Sequence, residues 1–311
     1  MTRVFIDGSS GTTGLQIRER LASRRDLTVL TLPEAQRKDP AARKDVMNSA
    51  DVVFFCLPDA AAIEGAGFIE NPDTCVIDTS TAHRVDPGWV YGFAELGKAA
   101  QIAAAKRIAN PGCHATGFIS VVYPLIAGGL LGADALLTCF SLTGYSGGGK
   151  SMIADYEAPE RDGLLDSPAV YALAQAHKHI PEMVAVCGLN NAPVFCPIVD
   201  DYYKGMATTV PLHVGLLNGV RSLGLLREAY ADFYAGQALI HVASAEESAA
   251  YGKLYGNAKA GHDSLEIVVA GSDERCTVTA LFDNLGKGAS GAAIQNMNLA
   301  LGMEPAVGLV L

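Results

Sequence analysis

The chain has 311 residues, half of them hydrophobic and 18% charged, with a formal net charge of −10 at pH 7. That length exceeds what one hydrophobic core organises, so two domains are expected, and the apolar content excludes a disordered chain. The acidic balance argues against a nucleic-acid binder, which needs a basic footprint, but leaves room for an anionic small molecule held by a few cations or backbone N–H groups.

Residues 3–7 form a short apolar run that stops at Gly8-Ser9-Ser10-Gly11-Thr12-Thr13-Gly14, and an amphipathic segment with Ile17 and Leu21 on one side follows. This order predicts strand, glycine turn and helix. Residues 27–31, 51–56, 74–78 and 106–109 are further short apolar runs ending in loops. Runs apolar on both faces, with helical material between, indicate a parallel sheet covered on both sides, whose binding loops lie beyond the strand C-terminal ends. Residues 115–133 carry no charge, but Pro124 and four glycines interrupt them, so they read as a buried helix and a turn and no membrane contact is expected. Beyond residue 135, β-branched strands are expected at 136–143, 206–214 and 276–282. Helices are expected at 225–235, 245–255 and 287–301. This second texture suggests an α+β domain on a mixed or antiparallel sheet.

The seven cysteines are odd in number, form no CxxC and mostly sit in apolar runs, a pattern of buried thiols in a reducing, cytoplasmic compartment. The N-terminal segment reads as a strand rather than a signal peptide.

Chemistry concentrates in a few motifs. Glycines in a strand-to-helix turn let the backbone approach a pyrophosphate while the helix N-terminus supplies free N–H groups. An acid closing the second strand would mark NAD; here that strand ends Leu30-Thr31-Leu32-Pro33, with Glu34 only afterwards and Arg37 and Lys38 beyond. NADP is therefore preferred, with Arg37 and Lys38 either on its 2′-phosphate or simply solvated. Asn110-Pro-Gly-Cys113-His-Ala-Thr places a cysteine at a helix start, where the thiolate is favoured and N–H groups can hold an oxyanion. His177-Lys-His179-Ile-Pro-Glu offers the imidazole such a nucleophile needs, and no third group stands at metal spacing beside the pair. Ser80 with Arg84, Ser146-Gly147 and Lys204 each put a hydroxyl, an N–H or a cation beside a sharp turn, suited to phosphate or carboxylate but equally to a surface loop. Asn284 opens a glycine-rich segment and suits either a carboxamide ligand or a helix cap.

In this order, Gly-Ser-Ser-Gly-Thr-Thr-Gly, Asp78-x-Ser80 with Arg84, Asn-Pro-Gly-Cys113-x-Ala-Thr, Ser146-Gly-Gly-Gly, His-x-His-x-Pro-Glu and Asp283-Asn284-Leu-x-Lys-Gly-Ala resemble the N-acetyl-γ-glutamyl-phosphate reductases of arginine biosynthesis, in the shorter of their two types. The resemblance implies an α/β fold shared with aspartate-semialdehyde dehydrogenase. A Rossmann-type parallel-sheet domain, residues 1–112 with 283–311, then receives an inserted catalytic and oligomerisation domain, residues 113–282. It implies NADPH-dependent reduction of an acyl phosphate to a semialdehyde, with release of inorganic phosphate; separately, the apolar strands of the second domain present a sheet face that needs cover, so a homodimer or homotetramer is expected. Cys113 matches the nucleophile and His179 the acid/base region, although the motif alone does not separate it from His177. Gly8 to Gly14, Arg37, Lys38, Ser80 and Asn284 are assigned to the cofactor. Arg84, Asn110, Ser146, Gly147, His177 and Lys204 are assigned to the substrate. Lys204 stands where the long type often has arginine, and keeps the charge without the bidentate fork. A related acyl phosphate, aspartyl or carrier-linked aminoadipyl, and a non-catalytic NADP-binding module are the alternative readings.

Overall fold

The structure is a computed structural model that describes residues 1–311. It divides into two compact units, Met1–Pro111 with Ala289–Leu309, and Gly112–Gly288 with Val310–Leu311. Asp283–Gly288 thus lie with the second unit.

The first unit holds β1 (Thr2–Asp7), β2 (Leu27–Leu30), β3 (Val52–Phe55), β4 (Cys75–Asp78), β5 (Val90–Tyr91) and β6 (Arg107–Ala109). They form one sheet in the order β2-β1-β3-β4-β6-β5, every pair parallel. Side chains alternate across it. Val4, Ile6, Val52, Phe54 and Ile77 pack on one face with α1 (Thr12–Ala22) and with Ala293, Ile294 and Met297. Phe5, Val53, Phe55 and Val76 pack on the other with Met47 of α2 (Pro40–Ser49) and Ala62 of α3 (Asp59–Gly67). Both faces are buried, which is why these strands read as unbroken apolar runs. The short α4 (Ala99–Ala104) completes the first face through Ile102. Strand order reverses at β1, so its C-terminal end opens a crevice for a ligand.

The second unit begins with α5 (Cys113–Ala127), nearly all buried. Pro124 lacks the N–H that would bond the Ser120 carbonyl, and the Tyr234 hydroxyl donates to that carbonyl instead, at 2.7 Å. No helix in the chain is long and apolar enough to cross a membrane. The strands are β7 (Thr138–Gly144), β8 (Ala169–Val170), β9 (Val194–Asp200), β10 (Met206–His213), β11 (Ile240–Val242), β12 (Leu265–Gly271) and β13 (Arg275–Phe282). Their order is β11-β12-β13-β10-β7-β9-β8, with parallel and antiparallel pairs mixed. Helices α6 (Gly149–Tyr156), α7 (Ile180–Cys187), α8 (Leu223–Phe233) and α9 (Ala245–Ala250) accompany the sheet.

Two helices are shorter than their sequence suggests. The 245–255 helix starts at a Ser244–Glu247 capping box but stops at Ala250, because Tyr251 is extended (φ −73°, ψ 105°). The 287–301 helix becomes a π-helical turn at Gly286–Ser290 followed by α10 (Gly291–Ala300), since glycines at its start weaken the regular turn. Strands β9 and β12 escaped the pattern: Pro197 interrupts one and charged Glu266 the other.

Candidate active site

The glycine turn follows β1. Gly8 has φ +84°, and a Cβ there would lie 2.2 Å from the Cys56 carbonyl oxygen, so only glycine brings the loop this close to β3. Beside it lies a cavity of about 450 Å3, lined in part by Gly8, Ser9, Ser10, Leu30, Glu34, Arg37 and Lys38. Arg18 of α1 also lines it, a cation that sequence reasoning passed over because α1 showed only a solvated polar face. Main-chain amides, an apolar slot and three cations fit a dinucleotide with an extra phosphate on its adenosine ribose. At the base of the turn, Arg43 donates to buried Asp7 at 2.9 Å and to Glu64 at 2.8 Å. Burial raises the Asp7 pKa, and the Arg43 pair opposes that rise.

Other assigned residues of this unit hold the backbone. Ser80 donates from its hydroxyl to Asp78 at 2.7 Å. Asp78 also bonds His83 at 2.6 Å, and that ring stacks on Trp89 at 4.0 Å. Arg84 donates to the carbonyls of Asn110 and Thr79, each at 3.0 Å. Asn110 is buried; its amide donates to the Ala289 carbonyl and accepts from Asn296.

In the second unit Cys113 is the first residue of α5, after Gly112 as N-cap, and is only partly buried. The first-turn N–H groups of a helix have no intrahelical partners and carry its positive dipole end. Gly112 donates its own N–H to the Glu182 carboxylate of α7 at 3.1 Å. Gly288 presses on the same place: a Cβ there would stand 2.9 Å from the Cys113 Cβ. Glu182 sits inside the His-x-His-x-Pro-Glu motif, yet its partner is visible only once α5 and α7 pack together.

His179 is the N-cap of α7, buried, with Pro181 in the first turn. Its backbone N–H donates to His177 Nδ1 at 3.1 Å, and the two rings lie 4.7 Å apart. His114, next to Cys113, completes a group of three imidazoles, 5.3 Å from His177 and 5.7 Å from His179. Burial, with help from His177 and Lys178, holds its pKa well below the usual imidazole value. Its ring nitrogens bond Ser141 Oγ at 2.7 Å and the Tyr171 hydroxyl at 2.6 Å. Neither His114 nor Tyr171 was singled out from the sequence. Just after Tyr171 the chain turns through Ala172 and Gln175, both with positive φ, and the Gln175 amide clamps both backbone groups of Phe195 at 2.9 Å.

A polar corner joins the remaining assigned residues. Asn284 is buried, donating to Ser146 Oγ at 3.0 Å and accepting from the Gly205 N–H at 2.8 Å. Lys204 lies 3.4 Å from the Asp283 carboxylate and remains partly exposed. Gly147 is exposed at the entrance to α6. The other thiols contrast with Cys113. Burial pushes Cys56 up to about 12 and Cys75 up to about 11, and raises Cys139 and Cys187 further.

Comparison with known proteins agrees with this anatomy. Residues 3–105 match the semialdehyde dehydrogenase NAD binding domain, and residues 113–284 match the semialdehyde dehydrogenase dimerisation domain. The "N-acetyl-gamma-glutamyl-phosphate reductase" of Brucella anthropi is 46% identical over 306 residues, 96% of this chain and 98% of that protein. The protein of the same name from Rhizobium leguminosarum is 45% identical, covering 96% and 98% of the two chains. Among solved structures, aspartate semialdehyde dehydrogenase II of Vibrio cholerae superposes with a TM-score of 0.73 over 97% of this chain and 98% of its own, at 15% identity, a likeness of fold. The chain belongs to the N-acetyl-γ-glutamyl-phosphate reductase family, built from the semialdehyde dehydrogenase domain pair.

Proposed function

We propose that this protein is an NADP-dependent oxidoreductase that reduces N-acetyl-L-glutamyl 5-phosphate to the 5-semialdehyde and releases phosphate, a step of arginine biosynthesis. The observation that carries the chemistry is Cys113, a partly exposed thiol at a helix N-terminus whose neighbouring residue contacts two further histidines. His179 takes the thiol proton, and the Cys113 sulfur attacks the acyl carbon. The acyl C–O bond breaks and phosphate leaves with the electron pair, giving a thioester on Cys113. NADPH, when bound at the glycine turn, supplies the hydride for reduction to the aldehyde level. His179 returns the proton to sulfur as the thiohemiacetal opens. The N–H groups at the start of α5 hold the oxyanion, while Lys204, the Ser146–Gly147 turn and His177 orient the substrate. Arg84 and Asn110 support the loop that ends at Pro111, and Asn284 keeps Ser146 in place.

Oxidation of the semialdehyde with NADP and phosphate tests the reading. N-acetylglutamate semialdehyde is expected to exceed aspartate semialdehyde by at least about a hundredfold in kcat/KM, because an unfilled site leaves polar groups unpaired. Faster turnover of aspartate semialdehyde would favour the aspartyl alternative, and no turnover with either would favour a non-catalytic module.

Arg37 and Lys38 are assigned to the 2′-phosphate. Replacing both with alanine is expected to raise KM for NADP by about 10- to 100-fold, as the loss of charge-assisted hydrogen bonds would. KM for NAD should stay unchanged in the same assay.

A homodimer or homotetramer, formed through the second unit, fits the exposed Leu136, Phe140, Val194 and Leu216. Leu136 and Leu216 line a groove of about 620 Å3. Such an apolar surface calls for a cover. Seven free cysteines support a reducing, cytoplasmic setting.

A further inference from the structure

We infer that His114 is a positioning residue that fixes Tyr171 as a hydrogen-bond donor to the oxyanion formed at Cys113. The inference rests on the thioester chemistry proposed above and adds a donor to it.

Thr208 Oγ1, Ser141 Oγ, the His114 ring and the Tyr171 hydroxyl form a single file, with links of 2.8, 2.7 and 2.6 Å. The His114 ring is 3% exposed and remains neutral near pH 7, so it carries one N–H. The file then holds four protons, one on each group, for three hydrogen bonds. All three links are satisfied in three arrangements, which differ in the hydroxyl left over: Thr208, Ser141 or Tyr171. If Tyr171 donates inward, the spare proton is that of Thr208 or of Ser141, both fully buried, Thr208 with only Ser141 as a side-chain partner and Ser141 with only Thr208 and His114. A buried donor without an acceptor is costly. If Thr208 donates to Ser141, Ser141 to His114 Nδ1 and His114 Nε2–H to Tyr171, the spare proton is on Tyr171. His114, the third member of the file, follows Cys113 directly on α5.

Two observations fit a phenol donor held at this end of the file. Burial and the charge of Cys113 both raise the Tyr171 pKa, so the phenol keeps its proton and lies within electrostatic range of the sulfur. The left-handed Ala172 and Gln175, with the clamp on Phe195, hold the Tyr171 segment in one geometry. The titratable groups around the His114 ring are Tyr171, His177, His179 and Lys178, with Glu182 at the adjoining Gly112.

The test is a double-mutant cycle in the semialdehyde oxidation assay. Tyr171→Phe and His114→Asn, whose shorter amide reaches Ser141 but not Tyr171, should each lower kcat by about 100- to 1000-fold with little change in KM, the pattern of a lost oxyanion donor. The double variant should be no slower than Tyr171→Phe, because His114 acts through that hydroxyl. His114→Gln, which retains a donor for Tyr171, should recover most of the rate. A Tyr171→Phe enzyme within twofold of wild type, or losses that multiply in the double variant, would overturn the inference. Should His114→Asn melt early, the comparison of His114→Gln with Tyr171→Phe decides alone: a Gln variant as slow as the Phe variant counts against it. Full activity in Cys113→Ser would instead remove the chemistry on which it rests.

Discussion

Cys113→Ser is expected to lower phosphate-dependent oxidation of the semialdehyde by at least about a thousandfold, with KM for NADP unchanged. The substitution is nearly isosteric at the first position of α5, so the fold should persist, as the melting temperature would verify. The loss is chemical. A hydroxyl is hardly ionised at neutral pH, whereas the thiolate of a cysteine at a helix N-terminus is accessible and strongly nucleophilic. Cys56, Cys75, Cys139 and Cys187 serve as internal controls. Burial disfavours their thiolates, so the corresponding serine variants should change stability more than turnover. A Cys113→Ser enzyme retaining a tenth of wild-type turnover would exclude the covalent route.

His179→Asn carries the second large effect, a fall in kcat of about 10²- to 10⁴-fold, as removal of a general acid/base produces. His177→Asn should cost less, about tenfold, because a positioning contact contributes less than proton transfer. The geometry gives this asymmetry. His177 Nδ1 already accepts the His179 N–H, so one of its nitrogens supports the turn that places His179. His179 caps α7, whose Glu182 bonds the residue before Cys113. Full pH–rate profiles of kcat/KM would separate the roles: the acidic limb should disappear in the His179 variant and survive in the His177 variant. The reverse outcome would exchange the assignments.

Five of the six strands of the first unit were legible because they are apolar runs punctuated by loops, a pattern with few competing explanations, whereas β5 is only two residues long and announces nothing. The glycine turn and Cys113 were legible for the same reason, since local spacing alone places each at a helix start. Strands β9 and β12 were not, because Pro197 and Glu266 break the alternation that marks a strand and only sheet pairing accommodates them. Asn284 shows the limit for side chains. Its sequence context suited a ligand amide, whereas the fold surrounds it with Ser146 and Gly205, far away in sequence. His114 and Tyr171 were invisible for a related reason: the link between them depends on a loop with two left-handed residues that no local motif announces.

The central claim, that the acyl group passes through the Cys113 sulfur, is tested most directly by intact-protein and peptide mass measurement. Enzyme mixed with N-acetylglutamyl phosphate in the absence of NADPH and quenched in acid should gain one N-acetylglutamyl group, located on the Cys113 peptide and lost on hydroxylamine treatment. Unmodified Cys113 in an enzyme that turns over rapidly once NADPH is added, or the acyl group on another residue, would contradict it.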